Sequence, residues 1–354
     1  MTSHLSGMKP RGYYDAHSSL QSESFDWASR WLIDAIPSME LPRDQRAISV
    51  ADFGSSTGAN SIRGAGVIVA ALRRVRPTEH VEVTHNDLPS NDFNSLCAAL
   101  WSPSAENYLQ SRGVRRPSVS VRLAPGSFYA PLLPPASLHV GTSLMALEWL
   151  SAPIAASAPD EIFCVDAPGD VLERYREQCR NDLALFLRHR ANETVSGGLL
   201  LIVYPGRTST DYTLSGGYRA LNDALKAQVD AGGIDRGRYE SFCFPVYHPE
   251  LEDVLHALRS AQDQWTVRNA EIGDVPIGFV EAYRAGGDRT EYAARATALM
   301  RAFTEPVLAG ALFPPGGGPG ALDETYRAMA ASIAAHADEH SMRSYAVAAL
   351  LQRR

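Results

Sequence analysis

The residues best suited to chemistry begin with a carboxylate beside a glycine–serine turn. Residues 52–60 read Asp-Phe-Gly-Ser-Ser-Thr-Gly-Ala-Asn and stand between an apolar segment, 47–52, and a segment of helical periodicity, 60–74. Where a strand leads into a helix, such a turn meets ligands at the carboxyl end of the sheet. Gly54 permits a close backbone approach, and the N–H groups of the helix start near Asn60 can receive an anionic group. The stretch therefore predicts either a cofactor site or a turn that needs glycine for its geometry alone.

The spacing of this turn favours one class of cofactor. Asp52 stands two positions before Gly54, the first glycine, and only one further glycine, Gly58, follows in the turn. The pattern is therefore not the G-x-G-x-x-G turn that cradles a pyrophosphate. A cofactor with an amino-acid end and a ribose, S-adenosylmethionine, fits the turn better than a dinucleotide does.

A second polar stretch follows the next predicted strand. Residues 86–94 read Asn-Asp-Leu-Pro-Ser-Asn-Asp-Phe-Asn and come directly after the strand 81–85. A carboxylate at this place, Asp87, can accept hydrogen bonds from both hydroxyls of a ribose. Asp92 and Asn94 are more simply interpreted as N-caps of the following helix.

A third stretch places an aromatic ring beside a hydroxyl. Residues 125–129 read Pro-Gly-Ser-Phe-Tyr and follow the alternating strand 119–123. Phe128 can stack on a purine while Ser127 bonds a ring edge. The alternative, which has equal weight from this stretch alone, makes Phe128 a core residue.

Strands alternating with helices must position these three turns. The predicted strands span 47–52, 81–85, 119–123, 138–142 and 199–203, and the predicted long helices span 60–74 and 172–194. Gly197 and Gly198 read as the signal that stops the second of these helices. This alternation predicts an α/β fold with a mostly parallel, doubly wound sheet.

The last third of the chain is predominantly helical. The predicted helices span 215–231, 249–261, 292–308 and 322–337. We therefore expect an α/β core with a gating N-terminal segment over residues 1–205 and a mainly helical cap over 206–340. Strands near 264–271 and 343–351 are expected to return to the core sheet.

Composition excludes several classes of protein. The chain has 354 residues, 33 Lys plus Arg against 40 Asp plus Glu, and a net charge of −7. This balance gives no general attraction to nucleic acid, and no apolar run reaches the roughly 18 residues of a membrane span. Four cysteines without a C-x-x-C pair are typical of reduced thiols. We expect a cytoplasmic protein, with Lys9 either charging the mouth of a pocket or solvated.

Together, these motifs resemble the SABATH methyltransferases. The three turns match that family in order and spacing, and so do residues 144–151, which end Glu-Trp-Leu-Ser, and 184–190. Residues 14–21 resemble its N-terminal Tyr-x-x-x-Ser-x-x-Gln. The resemblance is close over residues 9 to about 205 and looser beyond them. It implies a Rossmann-like methyltransferase sheet with an α-helical cap, assembly as a homodimer, and conversion of a small-molecule carboxylic acid to its methyl ester.

The resemblance also implies roles for particular residues. With Asp52 and Gly54 of the first turn, the S-adenosylmethionine ligands are Ser18, Asn60, Asp87, Leu88, Ser127 and Phe128. Gln21 and the indole N–H of Trp149 hold the substrate carboxylate beneath the methyl group. The substrate pocket is further lined by Tyr14, Met145, Glu148 and Tyr218.

Two departures bear on the substrate. Met145 stands where a tyrosine is common, and Glu148 stands where a methionine clamps the ring of salicylate. A carboxylate in this wall repels an acid unless it is paired or turned away. One alternative is therefore an N-methyltransferase of the same family, in which Glu148 bonds a ring N–H or a cation. A cofactor-binding partner protein without activity is disfavoured because both carboxylate donors are intact.

Two other enzyme classes lack support in the sequence. Residues 336–340 match the H-x-x-E-H pattern of some zinc peptidases, with two histidines expected on one helix face, but no third ligand is evident. No G-x-S-x-G nucleophile elbow is present. We therefore expect no metal site and no α/β-hydrolase.

Overall fold

The computed structural model describes residues 8–9, 13, 19–40, 47–102, 107–109, 119–154, 158–167, 169–313 and 320–354. The strands are β1 (Ile48–Phe53), β2 (Val81–Asp87), β3 (Val119–Pro125), β4 (Leu138–Leu144), β5 (Thr194–Pro205), β6 (Trp265–Asp274) and β7 (Tyr345–Arg353). The helices are α1 (Ser19–Ala35), α2 (Ala59–Val75), α3 (Phe93–Trp101), α4 (Gly169–Glu193), α5 (Ser215–Asp230), α6 (Arg236–Glu240), α7 (Leu251–Ser260), α8 (Gly278–Arg284), α9 (Arg289–Ala311) and α10 (Ala321–Ala335).

All seven strands form one mixed sheet in the order β3-β2-β1-β4-β5-β7-β6. The first five strands are parallel, whereas β7 runs antiparallel to both β5 and β6. Phe53 pairs with Asn86, and Asp87 pairs with Pro125. This register brings the carboxyl ends of β1, β2 and β3 level, so the three polar turns meet at one edge of the sheet.

Helices cover both faces of this sheet, as a doubly wound fold requires. Val50 and Leu201 pack in one apolar cluster with residues of α1 and α2. Their neighbours Ala51 and Leu200 point to the opposite face, into a cluster formed with α4 and α7. Alternate residues of β1 and β5 are therefore buried on opposite faces, because successive strand side chains point to opposite sides.

Strand β5 begins earlier than its sequence pattern predicts. Helix α4 ends at Glu193, and pairing starts at once, with Leu138 opposite Thr194. The register then shifts, so that Val140 lies opposite Leu199. Gly197, with a φ of 82°, lies within this irregular stretch. The glycine therefore marks a bulge inside the strand rather than the end of the helix.

The helices that follow β5 share a separate apolar cluster. Leu221 of α5, Met300 of α9 and Met329 of α10 are fully buried there. Strands β6 and β7 lie where the two late strands are predicted, and both join the sheet. This part of the chain therefore contributes both a helical layer and two strands of the common sheet.

The prediction that His336 and His340 share one face of a helix is wrong. Helix α10 ends at Ala335, and His336 is already its C-cap residue. His340 lies in the following turn, where its Nε2 is 3.0 Å from Ser332 Oγ. Within the described residues, no group of three or more metal-ligating side chains occurs. No described helix is both long and apolar enough to cross a bilayer.

A buried histidine links β2 to the helical layer. His85 Nδ1 is 2.6 Å from Ser61 Oγ, and its Nε2 is 2.7 Å from the Tyr108 hydroxyl. Burial lowers the pKa of His85 to about 4. The ring is therefore neutral at pH 7 and hydrogen-bonded through both nitrogens.

Acid should destabilise the fold through His85. In the unfolded chain a histidine takes up a proton below pH 6.5, whereas in the folded chain His85 does so only near pH 4. The contribution of neutral His85 to the free energy of unfolding is therefore fully present above pH 6.5 and is lost as the pH falls from 6.5 toward 4. At pH 5 the loss is about 2 kcal/mol. Urea unfolding measures how much the free energy of unfolding falls between pH 7 and pH 5. This fall should be smaller in His85→Gln than in the wild type by the same amount, and an equal fall in the two proteins would contradict the prediction.

Candidate active site

A cavity of about 690 Å³, including space open to solvent, lies at the carboxyl ends of the parallel strands. We call it the strand-end cavity. Its lining residues are Met8, Gly54, Ser56, Asp87, Leu88, Asn91, Ser127, Phe128, Tyr129, Leu144, Met145, Ala146 and Trp149. All three polar turns identified in the sequence contribute to it, together with the segment after β4.

Backbone hydrogen bonds lock the first turn against β2. The N–H groups of Gly54 and Ser55 both donate to the carbonyl of Asn86, at 2.9 and 2.8 Å. Gly54 has a φ of 99°, and a Cβ there would lie 2.2 Å from the Cβ of Ala146. Only glycine can occupy this position without displacing the segment after β4.

Asp87 is held rigidly at the end of β2. Its Oδ2 accepts a hydrogen bond from Ser56 N at 2.6 Å, and its Oδ1 accepts one from Leu88 N at 2.7 Å. Burial raises the pKa of the Asp87 carboxyl, and these two backbone bonds lower it. Each oxygen retains a second lone pair. The carboxylate can therefore accept ligand hydroxyls without giving up the bonds that orient it.

Asp52 and Asn60 line a smaller neighbouring cavity of about 300 Å³, which we call the turn cavity. Its wall is formed by Gln21, Asp52, Gly54, Ser55, Ser56, Asn60, Ser61 and Leu144. Asp52 is buried and accepts a hydrogen bond from Thr142 Oγ1 at 2.7 Å. Burial raises the pKa of the Asp52 carboxyl. Gly54 and Ser56 belong to both cavities, so the two adjoin.

A buried ion pair supports the segment that carries Phe128. Arg190 donates to the carbonyl oxygens of Phe128 and Ala130 at 2.8 and 2.9 Å. It also bonds Glu193 Oε1 at 2.8 Å, and that oxygen accepts from Leu132 N at 2.7 Å. The side chains of Arg190 and Glu193 are 0% and 1% exposed. The position of Phe128 therefore depends on two charges inside α4.

A third cavity, of about 400 Å³, lies between the strand ends and the later helices. We call it the cap cavity. Its wall is formed by Met8, Leu20, Gln21, Met145, Glu148, Pro205, Thr213, Leu214, Tyr218, His248 and Phe303. It shares Met8 and Met145 with the strand-end cavity and Gln21 with the turn cavity. The three cavities therefore adjoin one another through shared lining residues.

The two predicted carboxylate donors face this site from different walls. Trp149 lines the strand-end cavity, whereas Gln21 lines the cap and turn cavities. Trp149 Nε1 and Gln21 Oε1 are both buried, and neither has a hydrogen-bond partner among the described residues. A buried polar atom without a partner costs on the order of 1–3 kcal/mol. Neither atom is therefore satisfied within the described part of the chain.

Met145 joins the strand-end and cap cavities under backbone strain. It follows β4 with a φ of 52°, in the left-handed region that favours glycine. Its N–H donates to the carbonyl of Val203 at 2.8 Å, which holds this conformation. Such a conformation costs roughly 1–3 kcal/mol and is typical of functional sites.

Glu148 has a hydrogen-bond partner across the cavity wall, His248. Its Oε2 is 3.1 Å from Nε2 of His248. A short antiparallel bridge between Trp149 and Val246 brings the two segments together, and Tyr247 N donates to the carbonyl of Glu148 at 3.0 Å. His248 is a site residue that the sequence pattern does not reveal, because it lies 100 positions from its partner.

Lys9 is neither solvated nor a free charge at the pocket mouth. Its Nζ bonds Glu305 Oε2 at 2.7 Å and lies 4.3 Å from the centre of the Tyr13 ring. Its neighbour Met8 lines two of the cavities. The pair therefore fastens the start of the chain to α9. Tyr14 and Ser18, expected to contact substrate and cofactor, lie outside the described residues.

Comparison with known proteins assigns this chain to a class of enzymes. A solved structure described as loganic acid methyltransferase with SAH has a TM-score of 0.79, 22% identity, and coverage of 99% of each chain. This likeness shows that the chain has a methyltransferase fold. The family model described as SAM dependent carboxyl methyltransferase matches residues 2–354. The chain therefore belongs to the SABATH family of S-adenosylmethionine-dependent carboxyl methyltransferases.

Curated relatives agree with this assignment over most of their length. Jasmonate O-methyltransferase of Arabidopsis thaliana is 28% identical over 349 residues, which cover 88% of each chain. Anthranilate O-methyltransferase 3 of Zea mays is 28% identical over 313 residues, or 81% of this chain and 80% of the relative. The expected family, fold, cofactor and carboxyl-methylating activity are thereby confirmed.

Proposed function

We propose that this chain binds S-adenosylmethionine in the strand-end and turn cavities and presents a small carboxylic acid to it from the cap cavity. The observation that carries the proposal is the buried indole N–H of Trp149, a donor without a partner among the described residues. Trp149 and the Gln21 amide, which can turn to present its NH2 group, stand in adjoining walls. They lie where a ligand in the cap cavity meets one at the strand ends.

The residues of the strand-end cavity suit the nucleoside half of the cofactor. Asp87 presents a fixed carboxylate for two ribose hydroxyls, with Leu88 beside it. Ser127 and the Phe128 ring line the same cavity and suit the adenine. Ser56 Oγ is buried there without a hydrogen-bond partner among the described residues, so a ligand can satisfy it.

The turn cavity suits the amino-acid half. Asp52, Gly54 and Asn60 line it at the start of α2, where the first N–H groups of a helix have no intrahelical partner. A carboxylate is favoured at such a helix start, and the Asp52 carboxylate favours an ammonium group nearby. Ser18, for which the sequence motif implies the same role, is proposed to complete this end.

The substrate needs no general base from the protein. A carboxylic acid has a reference pKa of about 4, so it is ionised and nucleophilic at pH 7. When bound, S-adenosylmethionine supplies a methyl group on a positively charged sulfur. The protein's task is to hold one carboxylate oxygen in line at roughly 3 Å and to exclude water.

Gln21 and Trp149 are suited to that task because they are neutral donors. The indole N–H donates directly, and a half-turn of the Gln21 amide exchanges its oxygen for its NH2 group. Two neutral donors orient a carboxylate without cancelling the charge that makes it nucleophilic. An arginine in their place would bind the acid more tightly in the ground state and lower its reactivity.

The later helices are proposed to act as the cap. We assign residues 1–205 to the cofactor-binding core with its N-terminal gate and 206–340 to the cap, with β6 and β7 returning to the sheet. Leu214, Tyr218 and Phe303 of the second segment line the cap cavity. They would cover the acid with apolar surface and keep water from the reacting oxygen.

We further propose a cytoplasmic homodimer. The cysteines Cys97, Cys164, Cys179 and Cys243 are all unpaired, which suits a reducing compartment. The dimer follows from the family resemblance. Light scattering at micromolar concentration should give a particle of twice the chain mass, and a particle of the single-chain mass would reject the dimer without affecting the active site.

Incubation with methyl-labelled S-adenosylmethionine and a panel of small acids, amides and azoles tests the function. We expect label in the product of at least one acid, identified by mass spectrometry as its methyl ester. Mild alkali should release the label as methanol, because esters hydrolyse where N-methyl groups do not. Alkali-stable label on an azole, with none on any acid, would support the N-methyltransferase alternative and overturn the proposal.

A further inference from the structure

Glu148 and His248 form a polar pair in the wall of the cap cavity. Their side chains are 16% and 2% exposed, and both line the cavity. Aromatic rings enclose the histidine: its centre lies 4.9 Å from that of Phe163 and 5.9 Å from that of Tyr218. Buried charged and polar groups are costly unless they are fully hydrogen-bonded. The pair therefore calls for an explanation beyond packing.

The pair is only partly satisfied within the protein. Glu148 Oε2 and His248 Nε2 are 3.1 Å apart and share one hydrogen. In the arrangement with a carboxylate and a neutral ring, Nε2 carries that hydrogen and Nδ1 has a lone pair. Nδ1 is buried without a partner among the described residues. With the Glu148 carboxylate, which lines the same cavity, this nitrogen offers a site for a hydrogen-bond donor on a ligand.

The remainder of the cap cavity defines what can bring that donor. Leu20, Leu214 and Phe303 offer apolar surface along the cavity, and Gln21 stands at its junction with the turn cavity. A ligand that spans it needs a carboxylate at one end, an apolar body, and a hydrogen-bond donor at Glu148 and His248. The charge of Glu148 disfavours a second carboxylate at that place.

We infer that Glu148 and His248 form a recognition site for a hydrogen-bond donor on the substrate. The acid is a monocarboxylic acid that carries a hydroxyl or amino group away from the carboxylate. This inference rests on the proposed function and adds the substrate class. His248 acts on specificity: it bonds the far end of the acid and takes no part in methyl transfer itself.

Matched acids test this directly. The benzoate and 3-phenylpropanoate series are used, each unsubstituted or with a hydroxyl, amino or methoxy group at ring position 3 or 4. We expect the best hydroxyl or amino acid to exceed its unsubstituted parent by about 10- to 100-fold in kcat/KM, because an unpaired buried acceptor penalises the parent. The methoxy acids, which have similar size but no donor, should show no such gain. Comparison of the hydroxyl-substituted with the amino-substituted acids then shows which group of the substrate is the preferred hydrogen-bond donor.

Two variants assign the effect to this pair. In His248→Phe and in Glu148→Met, the ratio of kcat/KM between the preferred acid and its parent should fall to within about threefold of one. Glu148→Met should also accelerate the unsubstituted acids, since it removes a negative charge from the wall. His256→Phe, at an exposed position of α7, is the matched control and should keep the wild-type ratio. A merely structural histidine would change all acids alike and leave the ratio intact.

The outcomes separate this inference from the function on which it rests. Methylation of acids with a wild-type ratio near one overturns the donor site and leaves the carboxyl methyltransferase intact. A large ratio that both variants retain overturns the assignment to Glu148 and His248. If no acid in any panel is methylated, the proposed function fails, and the inference fails with it. The wild-type ratio and the second variant give a result even if His248→Phe does not fold.

Discussion

Replacing Trp149 by phenylalanine should lower kcat/KM for the acid substrate by about 10- to 200-fold, which corresponds to roughly 1.5–3 kcal/mol of transition-state stabilisation. The ring remains, but one carboxylate oxygen loses its donor, so orientation suffers. The substitution strands no hydrogen-bond partner among the described residues, so any loss of stability should come only from the smaller ring in the core. Steady-state kinetics and thermal unfolding measure the two effects.

Trp101→Phe is the matched control for this experiment. Trp101 ends α3 and is 59% exposed, so the same change there should leave kcat/KM within about twofold. Gln21→Leu should resemble Trp149→Phe in kcat/KM. Wild-type kinetics in Trp149→Phe would mean that the indole N–H does not touch the substrate, and the proposed orientation of the acid would have to be abandoned.

Replacing Glu193 by glutamine should destabilise the fold by about 3–5 kcal/mol. The change leaves the buried Arg190 guanidinium without its counter-charge, and a buried unpaired charge is strongly unfavourable. Because the same guanidinium holds the carbonyls of Phe128 and Ala130, cofactor affinity should also weaken below the unfolding temperature. Urea unfolding gives the first effect, and calorimetric titration with S-adenosylhomocysteine gives the second.

Glu252→Gln provides the comparison on the surface. Glu252 pairs with Arg259, and both side chains are more than half exposed, at 63% and 58%. Removing one partner of such a pair costs at most about 1 kcal/mol. If Glu193→Gln and Glu252→Gln unfold at the same urea concentration, the buried pair does not stabilise the segment around Phe128.

The cofactor end of the site is predictable from sequence because its residues directly follow strands. In a parallel sheet the carboxyl ends of neighbouring strands share one edge, so Gly54, Asp87 and Phe128 can be brought together from their positions after β1, β2 and β3. Asp92 is likewise predictable as an N-cap, and its side chain does accept from Ser95 N at 3.1 Å. Each of these inferences needs only local sequence and the rule that places ligands at that edge.

The end of the site that holds the methyl acceptor is not predictable in this way, because its contacts join segments that are distant in the sequence. The pairing of Glu148 with His248 depends on a bridge between Trp149 and Val246. No local pattern near His248 marks it, since an isolated histidine in an aromatic stretch is usually a core residue. Lys9 shows the same limit: its partner Glu305 lies 296 positions away, so the sequence alone left its role open.

The antiparallel strand β7 bears on how the nascent chain reaches this structure. It pairs with β5, Leu201 facing Leu350, across the entire helical segment between them. Until β7 has docked, during synthesis or during refolding, β5 keeps an unpaired edge along its apolar run of Leu199, Leu200, Leu201, Ile202 and Val203. An apolar edge that waits for a late partner is prone to pair with another chain. Refolding yield should therefore fall as protein concentration rises, even though the finished sheet buries that edge completely.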